Sequence, residues 1–130
     1  MKEKIETAHA PKAIGPYSQA VRESDTRLVF LSGQIAIDPV TGNFLNDTIE
    51  AQTRQVMENL KAVLAEAGID FSHLLKTTIY LTDLKDFTMV NNIYSSYLSP
   101  PYPARATVEV KALPRGAKIE IEAIAIGRSV

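Results

Sequence analysis

The stretch from residue 100 to residue 110 combines a stiff approach with a charged side chain that could bind an anion. Prolines at positions 100, 101 and 103 fix φ and favour extended backbone, and the sequence then alternates in the manner of a strand. This pattern places Arg105 at the start of a strand, with Thr107 and Glu109 on the same face. A guanidinium held in this way can bind a carboxylate through two parallel hydrogen bonds.

The residues alone leave two interpretations of Arg105 open. In the first, Arg105 binds an anionic ligand together with carboxylates and hydroxyls from other strands. In the second, it forms a structural ion pair with Glu109 or Glu120. The strand pattern does not separate them, because it does not say which residues face the guanidinium.

Glu120 and Glu122 share one strand face and offer a second kind of chemistry. Their separation along the strand is roughly 7 Å, which falls in the range used by inverting glycosidases. The chain has no tryptophan against which a sugar could stack. Carboxylates on a strand face are also commonly just solvated, so we do not expect glycoside hydrolysis.

Other catalytic classes lack the residues they need. The chain has no cysteine, which excludes thiol nucleophiles and thiolate zinc sites. The two histidines, His9 and His73, lie far apart in the sequence, so we expect neither a metal site nor a histidine-based triad. Segment 13–16 lacks the repeat and the following helix of a glycine-rich phosphate loop.

The length and charge are those of one ordinary globular domain, which we assign to residues 1–130. Fourteen Lys and Arg residues against fifteen Asp and Glu residues give a net charge of −1. Nothing therefore indicates a nucleic acid or an anionic membrane as a partner. The first residues do not form a signal peptide, and no apolar run reaches the roughly 20 residues of a membrane helix. We expect a cytoplasmic protein.

Two amphipathic helices are predicted. The first begins at Asp47, whose spacing from Glu50 is that of a capping box, and Gly68 ends it in the C′ position. The second begins at Asp86 and runs to about Tyr97. The apolar stripe of the first helix comprises Val56, Leu60, Val63, Leu64 and Ala67.

Six strands are predicted, over residues 4–7, 17–22, 28–31 and 74–82, from Arg105 onward, and over residues 117–126. The third strand is expected to end in a turn at Ser32 and Gly33, where glycine would supply a positive φ. The order β-β-β-α-β-α-β-β indicates an α+β fold in which two helices cover one face of a sheet. The last strand is partly apolar on both faces, so we expect self-association, as a closed ring or a dimer, to cover the other sheet face.

Five segments, met in order along the chain, resemble the successive signatures of the Rid/YjgF family. These proteins are the reactive intermediate deaminases, also called the L-PSP family. The similarity runs from about Thr7 to Ile126, nearly the whole chain. The segments are residues 14–20 (IGPYSQA), 32–35 (SGQI), 76–84 (KTTIYLTDL), 103–110 (PARATVEV) and 119–125 (IEIEAIA).

The resemblance implies a mixed sheet with two helices on one face, as in the small trimeric chorismate mutases. It also implies a homotrimer with three clefts between neighbouring subunits. For the archetypal branch it implies a 2-iminobutanoate/2-iminopropanoate deaminase. Such an enzyme hydrolyses imine and enamine intermediates such as 2-aminoacrylate, which dehydratases that use pyridoxal phosphate release, to 2-oxo acids and ammonia. The deaminase itself would need no cofactor and no metal.

The resemblance also implies roles for particular residues. Arg105 would hold the substrate carboxylate, and Glu120, on the neighbouring strand, would be the acid/base that orients water and moves its proton. Tyr17 would donate a hydrogen bond from the facing subunit, or else serve only as an interface aromatic. The remaining cleft residues would be Ser32, Gly33, Asn91 and Thr107, the last through its backbone amide.

Thr107 stands where many members of the family have cysteine or serine, so we assign no role to its side chain. The segment 95–102 is short compared with some members and borders the cleft, so the substrate range could differ. Two other functions stay open. One is a regulatory protein that binds metabolites without turnover. The other is an endoribonuclease that inhibits translation, as some relatives are described; the charge balance argues against it.

Overall fold

The computed structural model describes residues 1–128 and contains eight regular elements in the predicted order. The strands are β1 (Lys2–Ile5), β2 (Ala20–Glu23), β3 (Leu28–Gln34), β4 (Leu74–Leu81), β5 (Ala104–Glu109) and β6 (Ile119–Ile126), and the helices are α1 (Ile49–Glu66) and α2 (Phe87–Ser96). All six strands form one sheet in the order β1-β2-β3-β6-β4-β5. The β4–β5 pair is parallel and every other pair is antiparallel, so the sheet is mixed.

Helix α1 begins one residue later than predicted. Thr48 is its N-cap, and the Thr48 hydroxyl accepts a hydrogen bond from the Ala51 amide at 3.1 Å. The Asp47 carboxylate instead accepts from the Thr48 amide. The predicted end is confirmed, because Gly68 has φ +78° and directs its amide to the Ala65 carbonyl. A glycine tolerates this left-handed conformation without a Cβ clash.

Helix α2 begins after Asp86, as predicted, but the Asp86 side chain makes no capping hydrogen bond. The capping hydrogen bond is made instead by Asp83, whose carboxylate accepts from the Lys85 amide at 2.9 Å. A 3-10 turn over Leu84–Asp86 then leads directly into the helix. An aspartate three residues earlier than expected therefore starts the helical segment.

The core lies between the two helices and one face of the sheet. On β6 the predicted alternation is confirmed, since the residues at 119, 121, 123 and 125 are buried. Each fully buried Leu or Ile side chain contributes roughly 1.5–3 kcal/mol relative to exposure. The largest buried side chains between the layers are Met57, Leu60, Leu64, Ile79, Leu81, Ile119 and Ile121.

The other face of the sheet carries no helix of the described chain. Phe30 and Val108 on this face are 43% and 41% exposed. Ile124, between them in the sheet, is partly buried. A second copy that covers this face stays a prediction. Neither helix within residues 1–128 has the length and apolar content that a membrane-spanning helix requires.

The first three strands differ from the sequence prediction at their ends. Strand β1 lies at Lys2–Ile5, two residues earlier than predicted. Residues 17–19 belong to a loop and β2 starts at Ala20. Strand β3 continues to Gln34, so the predicted turn at Ser32 and Gly33 is wrong. A bulge opposite β6 absorbs these two residues, because Leu31 pairs with Ala123 while Gln34 pairs with Ile121.

Candidate functional site

Arg105 is held by one face of helix α2. Its Nη1 donates to the Asn91 side-chain oxygen at 2.7 Å. Its guanidinium carbon lies 5.4 Å from the centre of the Phe87 ring and 5.3 Å from the centre of the Tyr94 ring. These three α2 residues are spaced four and three apart, so they form one stripe toward β5. Both ring distances allow a cation–π interaction.

The Tyr94 ring is itself anchored in the core. Tyr94 is 5% exposed, and its hydroxyl shares a hydrogen bond of 2.7 Å with the Thr77 hydroxyl on β4. Thr77 is also the residue paired with Arg105 across the parallel β4–β5 ladder. Burial raises the pKa of Tyr94, which keeps its hydroxyl neutral. The guanidinium therefore rests on a fixed aromatic surface.

The structure contains no ion pair of Arg105 with another residue among 1–128. The Glu109 carboxylate, one of the two partners considered from the sequence, accepts from the Leu84 amide at 2.9 Å instead. The structural ion-pair interpretation is therefore wrong for the single chain. An amide oxygen neutralises no charge, so the cation stays available to an anion.

A cavity of about 430 Å³ opens beside Arg105. The proline-rich approach supplies Tyr102 and Pro103 to its wall, and α2 supplies Asn91, Tyr94 and Ser95. Strand β5 begins at Ala104, one residue earlier than predicted, so Arg105 lies at the start of the strand, as the sequence predicted. We call this cavity and its residues the Arg105 half-site.

Glu120 lies on the other face of the sheet. It alternates with the buried Ile119 and Ile121, whereas Arg105 points toward α2. Its strand is also not the neighbour of β5, because β4 lies between them, which corrects the prediction. Glu120 pairs with Tyr80, and Arg105 pairs with Thr77. Two strand spacings and three residues of rise separate the two Cα atoms by roughly 14 Å.

Gly33 provides the space that the Glu120 side chain occupies. A Cβ built on Gly33 would clash with the Glu120 carboxylate and would lie 2.8 Å from its Cδ. Gly33 does not have a positive φ, so the expectation of a left-handed turn residue is wrong. The glycine is required here by close approach and not by backbone conformation.

The surroundings of Glu120 favour its neutral form. Burial raises the pKa of Glu120, and the nearby Glu122 carboxylate raises that pKa further. Glu122 is in turn fixed by the Tyr80 hydroxyl, which donates to it at 2.5 Å. This hydrogen bond is the largest cause that raises the pKa of Tyr80. A carboxyl with a raised pKa can act as a proton donor nearer to neutral pH.

A second cavity, of about 530 Å³, brings together Tyr17, Ser32, Gly33 and Glu120. Tyr17 is 51% exposed and follows a tight turn in which its amide donates to the Gly15 carbonyl at 2.8 Å. The Ser32 hydroxyl donates to the Ser18 carbonyl at 2.6 Å. We call this cavity and its residues the Glu120 half-site.

Thr107 belongs to neither cavity lining. It lies on β5 two residues after Arg105, paired with Ile79. Its hydroxyl oxygen is buried and has no hydrogen-bond partner among the described residues. Such an orphan hydroxyl is uncommon in a folded protein and carries a desolvation cost.

Residues 1–128 contain no cluster of three or more His, Asp or Glu side chains that could hold a metal ion. His73 completes the local cap of a short 3-10 turn, in which its ring nitrogen lies 3.1 Å from the Asp70 carboxylate. The His9 amide donates to the Thr7 hydroxyl. Neither histidine lies in the two half-sites.

The sequence interpretation missed two aromatic residues that contact Arg105 and two cationic residues that line the Glu120 half-site. Phe87 and Tyr94 were assigned no part in the site, although their spacing from Asn91 could have shown that all three share one helix face. Lys12 and Arg115 line the Glu120 half-site. No local pattern could have placed these two, because they come from separate loops.

The chain matches the family described as Endoribonuclease L-PSP over residues 7–127. It is 57% identical to Protein DfrA of Myxococcus xanthus, over 94% of this chain and 93% of that protein. It is 51% identical to Reactive Intermediate Deaminase A of Arabidopsis thaliana, over 95% of this chain and 65% of that protein. It is 47% identical to the 2-iminobutanoate/2-iminopropanoate deaminase of Homo sapiens, over 94% of this chain and 88% of that protein.

Solved structures share the fold. The Rid family protein YyfA of Yersinia pestis superposes with a TM-score of 0.93 at 49% identity, covering 97% of this chain and 99% of that one. TdcF of E. coli, solved with bound serine, superposes with a TM-score of 0.88 at 42% identity, covering 98% of this chain and 99% of that one. The fold and the cavities define a small α+β domain with two separate cavities, one beside Arg105 and one beside Glu120. The chain belongs to the Rid/YjgF family, also called L-PSP.

Proposed function

We propose that this protein is a cofactor-independent deaminase that hydrolyses 2-imino acids to 2-oxo acids and ammonia. Its substrates would include 2-iminopropanoate, the imine tautomer of 2-aminoacrylate, and 2-iminobutanoate. One observation carries the proposal. The Arg105 guanidinium lies against two aromatic rings of α2, has a neutral amide as its one hydrogen-bond partner among residues 1–128, and lines a cavity. This environment suits a planar carboxylate.

The active site would form between two copies of the chain. Arg105 and Glu120 lie on opposite faces of one sheet, so a ligand that contacts both would need the Arg105 half-site of one copy and the Glu120 half-site of another. The uncovered sheet face, with Phe30 and Val108 exposed, supports an association of copies. We propose the homotrimer that the family resemblance implies, with three such sites.

The first chemical step would add water to the imine. Arg105 holds the substrate carboxylate and thereby fixes the position of the adjacent C=N carbon. The neutral Glu120 carboxyl gives its proton to the imine nitrogen, which makes the carbon more electrophilic. The resulting Glu120 carboxylate takes a proton from a water molecule as the water oxygen bonds to that carbon. The product is a carbinolamine, and Glu120 is neutral again.

The second step would release ammonia. Glu120 protonates the amine nitrogen of the carbinolamine, the C–N bond breaks, and the electron pair leaves with nitrogen. The hydroxyl oxygen then forms the carbonyl as its proton passes to Glu120. The sum is one imine and one water consumed, with one 2-oxo acid and one ammonia formed. No electrons are exchanged, so the reaction as written needs no redox partner.

The remaining residues would orient substrate and water. Tyr17 has an exposed hydroxyl in the Glu120 half-site and would donate to substrate or to water. Ser32 and Gly33 line the same cavity as Glu120, and Asn91 accepts a hydrogen bond that would orient the guanidinium. The backbone amide of Thr107 would be a further donor, on a strand at the edge of the sheet.

The test is a coupled assay with a serine or threonine dehydratase that uses pyridoxal phosphate. We expect the wild-type protein to accelerate the release of 2-oxo acid from the imine, and Arg105→Ala to abolish the acceleration while the fold is retained. Arg54→Ala is a matched control, since the ion pair of Arg54 with Glu50 on α1 is exposed and Arg54 lines neither half-site. Lack of acceleration by the wild type with several amino acid substrates would refute the proposal.

A second candidate is a protein that binds the same ligands without turnover. The bound serine of TdcF supports small-molecule binding in a relative and leaves catalysis open. The same assay separates the two functions, because a binding protein would show ligand affinity without accelerated release. The net charge of −1 does not support the endoribonuclease hypothesis, because binding to RNA phosphates relies on positively charged side chains.

A further inference from the structure

The Glu120 half-site contains two cationic side chains that the proposed chemistry does not use. Lys12 and Arg115 both line its cavity. Neither forms an ion pair within the part of the chain that the structure describes. These two side chains bring two positive charges to the cavity, and Glu120 is the one acidic side chain in its lining.

Arg115 is held in an unfavourable backbone conformation. It has φ 61° and ψ 17°, and the next residue, Gly116, has φ 71°. The Ala117 amide closes the turn by donating to the Pro114 carbonyl at 3.1 Å. Two successive residues with positive φ define a type I′ turn, which favours Asn, Asp or Gly at the position that Arg115 occupies. A non-glycine residue kept in this conformation points to a role for its side chain.

The backbone just before Lys12 is held in place by hydrogen bonds from a buried side chain. The Gln19 side chain is 3% exposed and donates to the carbonyls of Pro11 at 2.8 Å and Ala10 at 3.3 Å. It also accepts from the Thr7 amide at 2.7 Å. The loop that presents Lys12 to the cavity is thus tied to a buried amide, which limits its movement.

Lys12, Arg115 and Glu120 line one cavity of about 530 Å³. Apolar side chains, among them Ile14, Ile35 and Ile37, line the same cavity. A cavity with charged groups and an apolar lining suits a ligand in which a short chain of methylene groups joins two polar ends.

We propose that Lys12 and Arg115 form a second anion subsite, so that this protein acts on 2-imino acids that carry a second carboxylate at the end of the side chain. The inference rests on the proposed function, in which Arg105 of another copy holds the carboxylate next to the imine. The distal carboxylate would bind to Arg115 and Lys12 across the cavity from Glu120. Charge-assisted hydrogen bonds of this kind discriminate strongly against a ligand that lacks the anion.

The test compares two stable 2-oxo acids of equal carbon number by isothermal titration calorimetry at low salt. One is 2-oxoglutarate, which has the second carboxylate, and the other is 2-oxopentanoate, which lacks it. We expect the wild-type protein to bind 2-oxoglutarate about tenfold more tightly. The double variant Lys12→Gln/Arg115→Asn should bring the ratio of the two affinities close to one. Asparagine suits the turn at 115, so folding is retained.

Lys61→Gln removes one charge from an exposed position outside both half-sites, and it should leave the ratio of affinities unchanged. Equal affinities in the wild type, or a preference that survives the double variant, would overturn the subsite. The proposed function and the subsite can be refuted independently of each other. If the wild type prefers 2-oxoglutarate but does not hydrolyse imines, the subsite stands without the deaminase. If imines are hydrolysed without that preference, the deaminase stands without the subsite.

Discussion

Arg105 and Glu120 project from opposite faces of the same sheet, on strands that β4 separates. Arg105 contacts helix α2, and Glu120 lies against Gly33 on the face that no helix of the described chain covers. In the proposed function, the Arg105 half-site would supply an anion anchor and the Glu120 half-site would supply a carboxyl with a raised pKa, and the two would complement each other in one imine-hydrolysing site.

The aromatic contact to Arg105 can be tested with Phe87→Leu. Loss of one cation–π partner should weaken the binding of a 2-oxo acid roughly 2- to 30-fold, because the guanidinium loses both attraction and orientation. Phe87→Trp should retain the affinity. Isothermal titration with 2-oxobutanoate measures both variants.

The matched control is Phe71→Leu, which removes a ring from an edge-to-face pair with Tyr97 away from the site. Both leucine variants lose a similar packing area, so both should lose some stability to urea. Only Phe87→Leu should lose affinity for the 2-oxo acid. Equal affinity losses in the two variants would show that the Phe87 ring has no specific effect on Arg105.

Tyr94→Phe should lower the stability of the protein more than its affinity for a ligand. It leaves the ring over Arg105 and removes the hydroxyl that bonds to Thr77 in the core. We expect a loss of about 1 kcal/mol in the free energy of unfolding, because the Thr77 hydroxyl is left without its partner. The affinity for 2-oxobutanoate should change less than in Phe87→Leu. A variant as stable as the wild type would contradict the assigned hydrogen bond.

Gly33→Ala should displace the Glu120 side chain, since the added Cβ would overlap its carboxylate. We expect deaminase activity to fall by roughly 10- to 100-fold, because a catalytic group would move by about 1 Å or more. Gly68→Ala is the control. It also places a Cβ at a glycine, with positive φ but with open space around it, so it should lower stability and leave activity intact.

The order of the eight elements and the buried stripes followed from local patterns, since hydrophobic periodicity of 3.6 and of 2 is written into neighbouring residues. Arg105 as a fixed cation at a strand start followed in the same way from the prolines before it. The position of β4 between β5 and β6 did not follow from local patterns. Strand order and register depend on contacts between distant segments. The register across β4, where Arg105 pairs with Thr77 and Glu120 pairs with Tyr80, puts Arg105 and Glu120 on opposite faces.

The errors in the sequence interpretation have a common physical cause. Asp47 and Thr48 are both good N-caps, and one hydrogen bond to the Ala51 amide decides between them. Gly33 resembles a turn residue until Glu120 is placed over it. In each case one hydrogen bond or one tertiary contact decides the outcome. A contribution of about 1 kcal/mol is enough to override what the local sequence favours.

The raised pKa of Glu120 should appear in the pH dependence of stability. A carboxyl whose pKa is higher in the folded state than its ordinary value of 4.5 stabilises the fold at low pH, and this contribution is lost as pH rises through the folded pKa. Glu120→Gln should therefore gain stability relative to the wild type as the pH rises above the ordinary pKa of 4.5. Urea unfolding at a series of pH values below and above 4.5 measures the difference. A difference that does not change with pH would contradict the raised pKa.

A substitution of Glu122 provides a second test of the raised pKa of Glu120. Glu122→Gln removes a negative charge that raises the pKa of Glu120. Because the proposed mechanism begins with neutral Glu120, activity should fall with rising pH, and the fall should occur at a lower pH in the variant. An unchanged pH profile would mean that Glu122 does not influence the reacting carboxyl.

The most direct test of a site shared between copies is complementation between two inactive variants. Arg105→Ala and Glu120→Gln should each lack deaminase activity when expressed alone. When the two chains are co-expressed with different tags and assemble at random, a shared site restores about one quarter of the wild-type activity, since each half-site is intact in half of the copies. Activity no greater than that of the separate variants would contradict a site built from Arg105 of one copy and Glu120 of another.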